Sequence, residues 1–208
     1  MKIAIIVISI IVLVSIVAVG CRLLNSRNTA ATIPVTAKLP GKAVIVYFSQ
    51  SKVQNTALVA KWILKHVGGE LIEVIPVNPY PDAYSETLKE ASRERKEGTP
   101  REIQPISIPD DCEIVFIGSP IWYGTFAPPI ATFLKANPLA GKTVVPFCTH
   151  GGGGAERFEQ DVQAACPEAK VLKGFVARGS NQIERRLDVG VPSHHKEDDV
   201  ITWLNGIF

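Results

Sequence analysis

From Ala43 onward the chain alternates short, unbroken apolar runs with longer segments whose apolar residues recur at helical spacing, and this alternation restricts the fold more than any other feature. AVIVYFS (43–49), ELIEVIPV (70–77), CEIVFIGS (112–119), TVVPFCT (143–149) and AKVLKGFVA (169–177) read as strands. NTALVAKWILKHV sets Leu58, Val59, Trp62, Ile63 and Val67 on one helical face, and Gly68 and Gly69 end it. PDAYSETLKEASRERKEG reads as a solvated helix, APPIATFLKAN as a short helix opened by prolines, and AERFEQDVQAAC and KEDDVITWLNGI as two more. Strands that are apolar throughout need cover on both faces, which five βα units supply by laying helices on either side of a parallel sheet. Units of this length match a doubly wound sheet in the order 2-1-3-4-5. There the loops leaving strands 1 and 3 part and open a crevice at the carboxyl ends of the strands.

Before this domain the composition changes. Residues 3–19, IAIIVISIIVLVSIVAV, carry no charge and are broken only by two serines, so they belong in a membrane at least transiently. Three readings remain open: a lipoprotein signal ending in AVGC with Cys21 as the lipidated residue, an uncleaved transmembrane anchor running to about Leu24, or a conventional cleaved signal. The expected organisation is an anchor or signal over residues 1–24, a polar tether with two prolines over 25–41, and the domain over 42–208. The first two readings predict a membrane-associated protein, lipid-anchored or held by a single N-terminal helix, with the extracytoplasmic side slightly favoured.

Charge excludes one class of partner. Residues 1–41 hold Lys2, Arg22, Arg27 and Lys38 and no acid, leaving 18 basic against 20 acidic residues in the rest. No basic stripe with interleaved aromatics is present, so a nucleic-acid partner is not expected. The cysteines at 21, 112, 148 and 166 show no C-x-x-C spacing and no histidine at ligand distance. We therefore expect no metal, and read Cys112, Cys148 and Cys166 as small buried apolar residues.

Three loops carry candidate chemistry. After strand 1, SQSKVQNT (49–56) offers the hydroxyls of Ser49, Ser51 and Thr56, the Asn55 amide and the free N–H groups of a helix start, a set suited to a phosphate. The alternative is an ordinary Asn or Thr helix cap. After strand 3, PIWYGTF (120–126) places Trp122 and Tyr123 beyond the strand. An exposed tryptophan at a crevice asks for a flat partner, whereas folded back it would only cover the sheet edge. After strand 4, THGGGG (149–154) brings backbone N–H groups close to whatever lies there, unless it is simply a flexible turn. HGGG resembles an esterase oxyanion loop, but no G-x-S-x-G supplies a nucleophile. GKT at 141–143 lacks the first glycine of a phosphate-binding loop, Ala136 standing there, and runs into a strand. G-x-G-x-x-G fails because Glu156 occupies its last place.

YFSQS and NT (47–51, 55–56), PYPDAY (79–84), GSPIWYG (118–124), GKTVVPFCTHGGGG (141–154) and ARGS (177–180), in this order, resemble the flavodoxin family. The resemblance spans nearly all of residues 43–208. It implies a flavodoxin-like α/β three-layer sandwich and non-covalent FMN. Ser49, Ser51, Asn55 and Thr56 would hold the phosphate, and Trp122 would stack on the flavin. Pro120, Tyr123 and Gly124 would shape that loop, with Thr149, Gly151, Gly152 and Gly153 at the ring's polar edge. No catalytic acid or base is expected, because the flavin carries the chemistry. His150 is expected to cap its loop rather than to charge. One departure stands out: where relatives have a single glycine before Asn-Thr, this chain has Lys52, Val53 and Gln54. Lys52 could add a phosphate contact, or the longer loop could spoil the nest of N–H groups. The expected function is electron transfer or flavin-dependent oxidoreduction with a redox partner protein or a small-molecule acceptor. The alternatives are an NAD(P)H-dependent quinone reductase and a non-redox binding module.

Overall fold

The structure, a computed structural model, describes residues 39–99, 101–155, 157–179 and 197–208. The expected anchor over residues 1–24 with Cys21, most of the tether, and Ser180 of the ARGS stretch lie outside the described residues. Among the described residues no helix is long and apolar enough to cross a membrane.

The strands are β1 (Lys42–Tyr47), β2 (Glu70–Glu73), β3 (Cys112–Trp122), β4 (Thr125–Phe126), β5 (Thr143–His150), β6 (Lys170–Val171) and β7 (Phe175–Arg178). The helices are α1 (Asn55–Val67), α2 (Tyr84–Glu97), α3 (Pro128–Ala136), α4 (Phe158–Ala165) and α5 (Glu197–Ile207). Among the described residues the sheet runs β2-β1-β3-β5-β6, with β7 also on β5 and β4 folded back on β3. Every pairing is parallel except β3 with β4. The expected α/β order is therefore present, with β5 as the fourth strand and β6 and β7 together as the fifth.

Side-chain alternation divides the core in two. Val44 and Val46 of β1, Val115 and Ile117 of β3 and Val144 of β5 face Ala91 of α2, Ile130 and Phe133 of α3 and Phe158 and Val162 of α4. Their neighbours Ile45, Phe116 and Val145 face Ala57, Ala60 and Ile63 of α1 and Val200 and Leu204 of α5. A period of two along each strand thus feeds both helical layers, which is why the strands are apolar at every position.

Three boundaries depart from expectation, each with a local cause. The strand expected over 70–77 stops at Glu73; Val74 still donates to Tyr47 O at 2.7 Å, but Pro76 has no N–H for the ladder and instead forms an isolated bridge with Ile103. The fifth strand is cut into β6 and β7. Leu172 donates to Val144 O at 2.9 Å, and the next β5 residue facing that side by alternation is Pro146, which has no N–H to give. The third strand runs past 119 to Trp122, so PIWYGTF is a hairpin with β4 rather than an irregular loop. Tyr123 (φ 53°) and Gly124 (φ 80°) are both left-handed at its tip, the backbone a two-residue type I′ turn requires.

Candidate functional site

The loops leaving β1, β3 and β5 meet at the carboxyl edge of the sheet around a crevice of about 220 Å³. Ser49, Ser51, Asn55 and Thr56 line one side, Pro120 and Trp122 another, Thr149 and Gly151 a third. Eight of the expected residues are thus brought together. Tyr123 and Gly124, at the hairpin tip, and Gly152 and Gly153, further along the glycine run, are not among the residues lining it.

The β1 loop shows how the longer sequence is accommodated. Ser51 to Gln54 form a turn in which Gln54 N–H and Nε2 both donate to Ser51 O at 2.8 Å. Val53 turns inward and is buried. Gln54 then starts α1 at φ 52°, ψ 44°, the left-handed conformation a glycine would adopt freely, at a cost of about 1–2 kcal/mol for a side-chain-bearing residue. Lys52 has its Nζ 3.8 Å from Asp82 Oδ2, an exposed pair contributing little to stability. The extra residues are absorbed in the turn: the Gln54 side chain does not cap α1, Ser51 Oγ accepts from Asn55 N–H at 3.5 Å, and the positive end of the helix dipole is directed at the crevice.

Ser49 also lines the crevice, 8% exposed, and its Oγ is fully buried with no hydrogen-bond partner among the described residues. A buried hydroxyl left unsatisfied costs about 1–3 kcal/mol, so the site is incomplete without an acceptor or donor there. Thr56 Oγ1 and Thr149 Oγ1 are 2.8 Å apart and buried, tying the first loop to the third. One of the two hydrogens makes that bond and the other remains to be donated. The buried serine, the spare threonine hydrogen and the helix start fit a phosphate group.

Trp122 corrects one expectation. It is 8% exposed, not a free-standing exposed ring. Its ring meets Phe48 (5.6 Å between centroids, 89°) and Tyr80 (5.1 Å, 87°) edge to face, and it also lines the crevice. Behind it Tyr80 OH donates to Glu94 Oε2 at 2.6 Å, Arg101 pairs with Glu94 and with Glu90, and the Arg101 guanidinium lies 3.8 Å over the Tyr80 ring. Burial, reinforced by Glu94, pushes the Tyr80 hydroxyl pKa far up, so it stays a donor. Trp122 is therefore a fixed wall.

The exposed flat side chain at the crevice is Tyr84, 73% exposed, on the first turn of α2. A second hollow of about 530 Å³ joins Tyr84 to Ser51, Val53 and Trp122. Residue-by-residue reading missed it. It stands in PYPDAY, where a lone aromatic at the head of a polar helix was the available signal. Arg178 and Gly179 were missed too; both line the crevice from the end of β7. Gly179 is a close approach, for a Cβ there would come within 2.5 Å of Asn55 Nδ2.

In the third loop, Gly152 N–H and Gly154 N–H both donate to His150 Nδ1, at 3.1 and 3.0 Å. A nitrogen accepting two hydrogens carries none, so His150 caps its loop as a neutral ring with the proton on Nε2. Cys112, Cys148 and Cys166 are buried and unbridged, and burial pushes the Cys148 thiol well up, leaving it inert. Among the described residues no group of acids, histidines and cysteines is arranged to hold a metal ion.

A doubly wound parallel sheet with its crevice at the switch point between β1 and β3, a helix terminus on one side and aromatics on the other, defines a nucleotide-binding class of α/β protein. Within that class the chain belongs to the flavodoxin family, whose profile matches residues 42–188. Crystal structures similar to it include a protein described as a flavoprotein from Bacteroides eggerthii DSM 20697, 26% identical, with a TM-score of 0.63 over 80% of this chain and 98% of that one. A counterpart from Bacteroides uniformis ATCC 8492 is 26% identical, with a TM-score of 0.64 over 79% and 97%. A flavoprotein from Lactobacillus acidophilus NCFM, solved in complex with FMN, is 26% identical, with a TM-score of 0.58 over 71% and 97%. No curated protein matches the chain closely enough to be counted a relative.

Proposed function

We propose that this protein binds FMN non-covalently in the crevice and serves electron transfer or flavin-dependent oxidoreduction at a membrane, with a redox partner protein or a small-molecule acceptor. The observation that carries the reading is Ser49 Oγ, buried and without a hydrogen-bond partner among the described residues, in the crevice at the start of α1. A phosphate oxygen there would satisfy the serine hydrogen while facing the positive end of the helix dipole. The Lactobacillus flavoprotein complexed with FMN supports the choice of ligand.

When bound, FMN would supply a ring that accepts and gives up electrons. This chain's own part is to hold and surround it. Ser49, Ser51, Asn55 and Thr56 would take the phosphate, with Arg178 adding charge at the rim. Trp122 and Pro120 form the fixed wall, and Tyr84 is the exposed aromatic free to lie against a flat ring. Thr149 and the backbone from Gly151 would meet the polar edge, held in shape by neutral His150. A neutral imidazole beside that edge leaves the charge of a reduced ring uncompensated by this residue.

The test is a titration of the full-length protein in mild detergent with FMN, followed by visible absorbance and flavin fluorescence. A saturable complex with shifted flavin bands is expected. A protein that stays colourless and leaves flavin fluorescence unchanged would refute the reading. The membrane part rests on the uncharged run over 3–19. Metabolic labelling with a fatty-acid analogue, wild type against Cys21→Ala, separates a lipid anchor from a helix.

A further inference from the structure

On the far side of the hairpin lies a second cavity, of about 370 Å³, between α2 and α3 and closed below by α4. Trp122 borders both this cleft and the FMN crevice, and no other described residue lines both. Its walls are apolar, formed by Trp122, Phe126, Pro128 and Ala131. They are preformed, because Tyr123 OH donates to Leu88 O at 2.8 Å and Arg95 Nη1 donates to Tyr123 O at 2.6 Å, fastening the hairpin tip to α2. The size falls within the range of small-molecule pockets, roughly 300–1,000 Å³.

The rim is cationic, with Arg95, Lys135 and Arg157 around the mouth. Among the described residues two acids also line the cleft, and both are engaged. Glu94 accepts from Tyr80 and pairs with Arg101, while Asp161 pairs with Arg157 at 3.3 Å across one helical turn. Lys135, exposed on the last turn of α3, makes no hydrogen bond or ion pair among the described residues. Positive charge is therefore in excess over flat apolar walls. We propose that this cleft is a second binding site, for a flat aromatic carboxylate whose ring lies against Trp122 and Phe126 and whose carboxylate pairs with Lys135 and Arg95. Apolar walls reward ring burial, and a charge-assisted pair at the rim fixes orientation.

The site stands independently of the FMN reading. The full-length protein in mild detergent is titrated calorimetrically with 2-naphthoate, against a blank titration into detergent. One saturable site is expected, weakened at least fivefold in Lys135→Glu and for the uncharged 2-naphthamide, and lost in Ala131→Phe, which fills the cleft. Both substitutions lie on the exposed surface of α3 and should leave the urea unfolding midpoint unchanged, which separates loss of the site from loss of the fold. No saturable heat, an affinity equal in the wild type and both variants, or displacement of 2-naphthoate by FMN, which would place it in the crevice, would each overturn the proposal.

Discussion

The β1 loop and the β3–β4 hairpin face each other across the crevice, yet they differ in what folding leaves unpaired. The hairpin is built from regular parts: a strand extended by three residues, a turn whose residues take the left-handed conformations it demands, and a tryptophan seated in the core. Each turn carries one side-chain-bearing residue in a left-handed conformation, Tyr123 in the hairpin and Gln54 in the β1 loop, so what sets the β1 loop apart is Ser49, buried without a partner among the described residues. The rigid side has already spent its interactions on folding. On the β1 side the Ser49 hydroxyl, buried and unpartnered among the described residues, lies at the crevice where a ligand can complete it.

The comparison can be broken most forcefully at Trp122. Trp122→Ala removes a buried ring packed on Phe48 and Tyr80 and should destabilise the fold by about 3–5 kcal/mol in urea unfolding, with or without FMN. A stability loss seen only with FMN present would mean the ring belongs to the ligand and not to the core. Ser49→Ala should act in reverse. Without FMN, stability is unchanged or slightly raised, because an unsatisfied hydroxyl is gone. FMN affinity falls by about 1.5–3 kcal/mol, the range for a hydrogen bond to a charged group, as read by fluorescence titration.

Which parts of this were legible beforehand follows from what each kind of signal encodes. Unbroken apolar runs show that a strand is covered on both faces, so the sheet, its order and the position of the crevice were readable. The ends of strands were less so, because they depend on single backbone donors: Pro76 and Pro146 shortened or split strands that hydropathy drew as continuous. PIWYGTF was placed at the right edge but misread in orientation. An aromatic after a strand is exposed only if the strand ends there, and this one continues through Trp122. Tyr84 was hidden for a related reason, since a lone aromatic in a polar helix shows no periodicity and its nearness to Ser51 is created by the fold.

Smaller effects sharpen the contrast. Gln54→Gly should relieve the left-handed strain, in part offset by the greater freedom of glycine in the unfolded chain, for a net gain of up to about 1 kcal/mol in unfolding free energy. A loss instead would show that the Gln54 side chain, through its bond to Ser51 O, is what shapes the loop. Tyr123→Asn should change stability by no more than about 0.5 kcal/mol, since asparagine favours the type I′ position while the bond to Leu88 O, on a side chain 50% exposed, is lost.

The central claim is that the crevice recognises its ligand by the phosphate end, through Ser49 and the start of α1. Parallel titrations of the full-length protein with FMN and with riboflavin, which lacks the phosphate, test this most directly. The account predicts FMN binding at least a hundredfold tighter than riboflavin, with Ser49→Ala closing a large part of that gap by weakening FMN alone. Equal affinity for the two flavins, or a Ser49→Ala variant that weakens both alike, would contradict it.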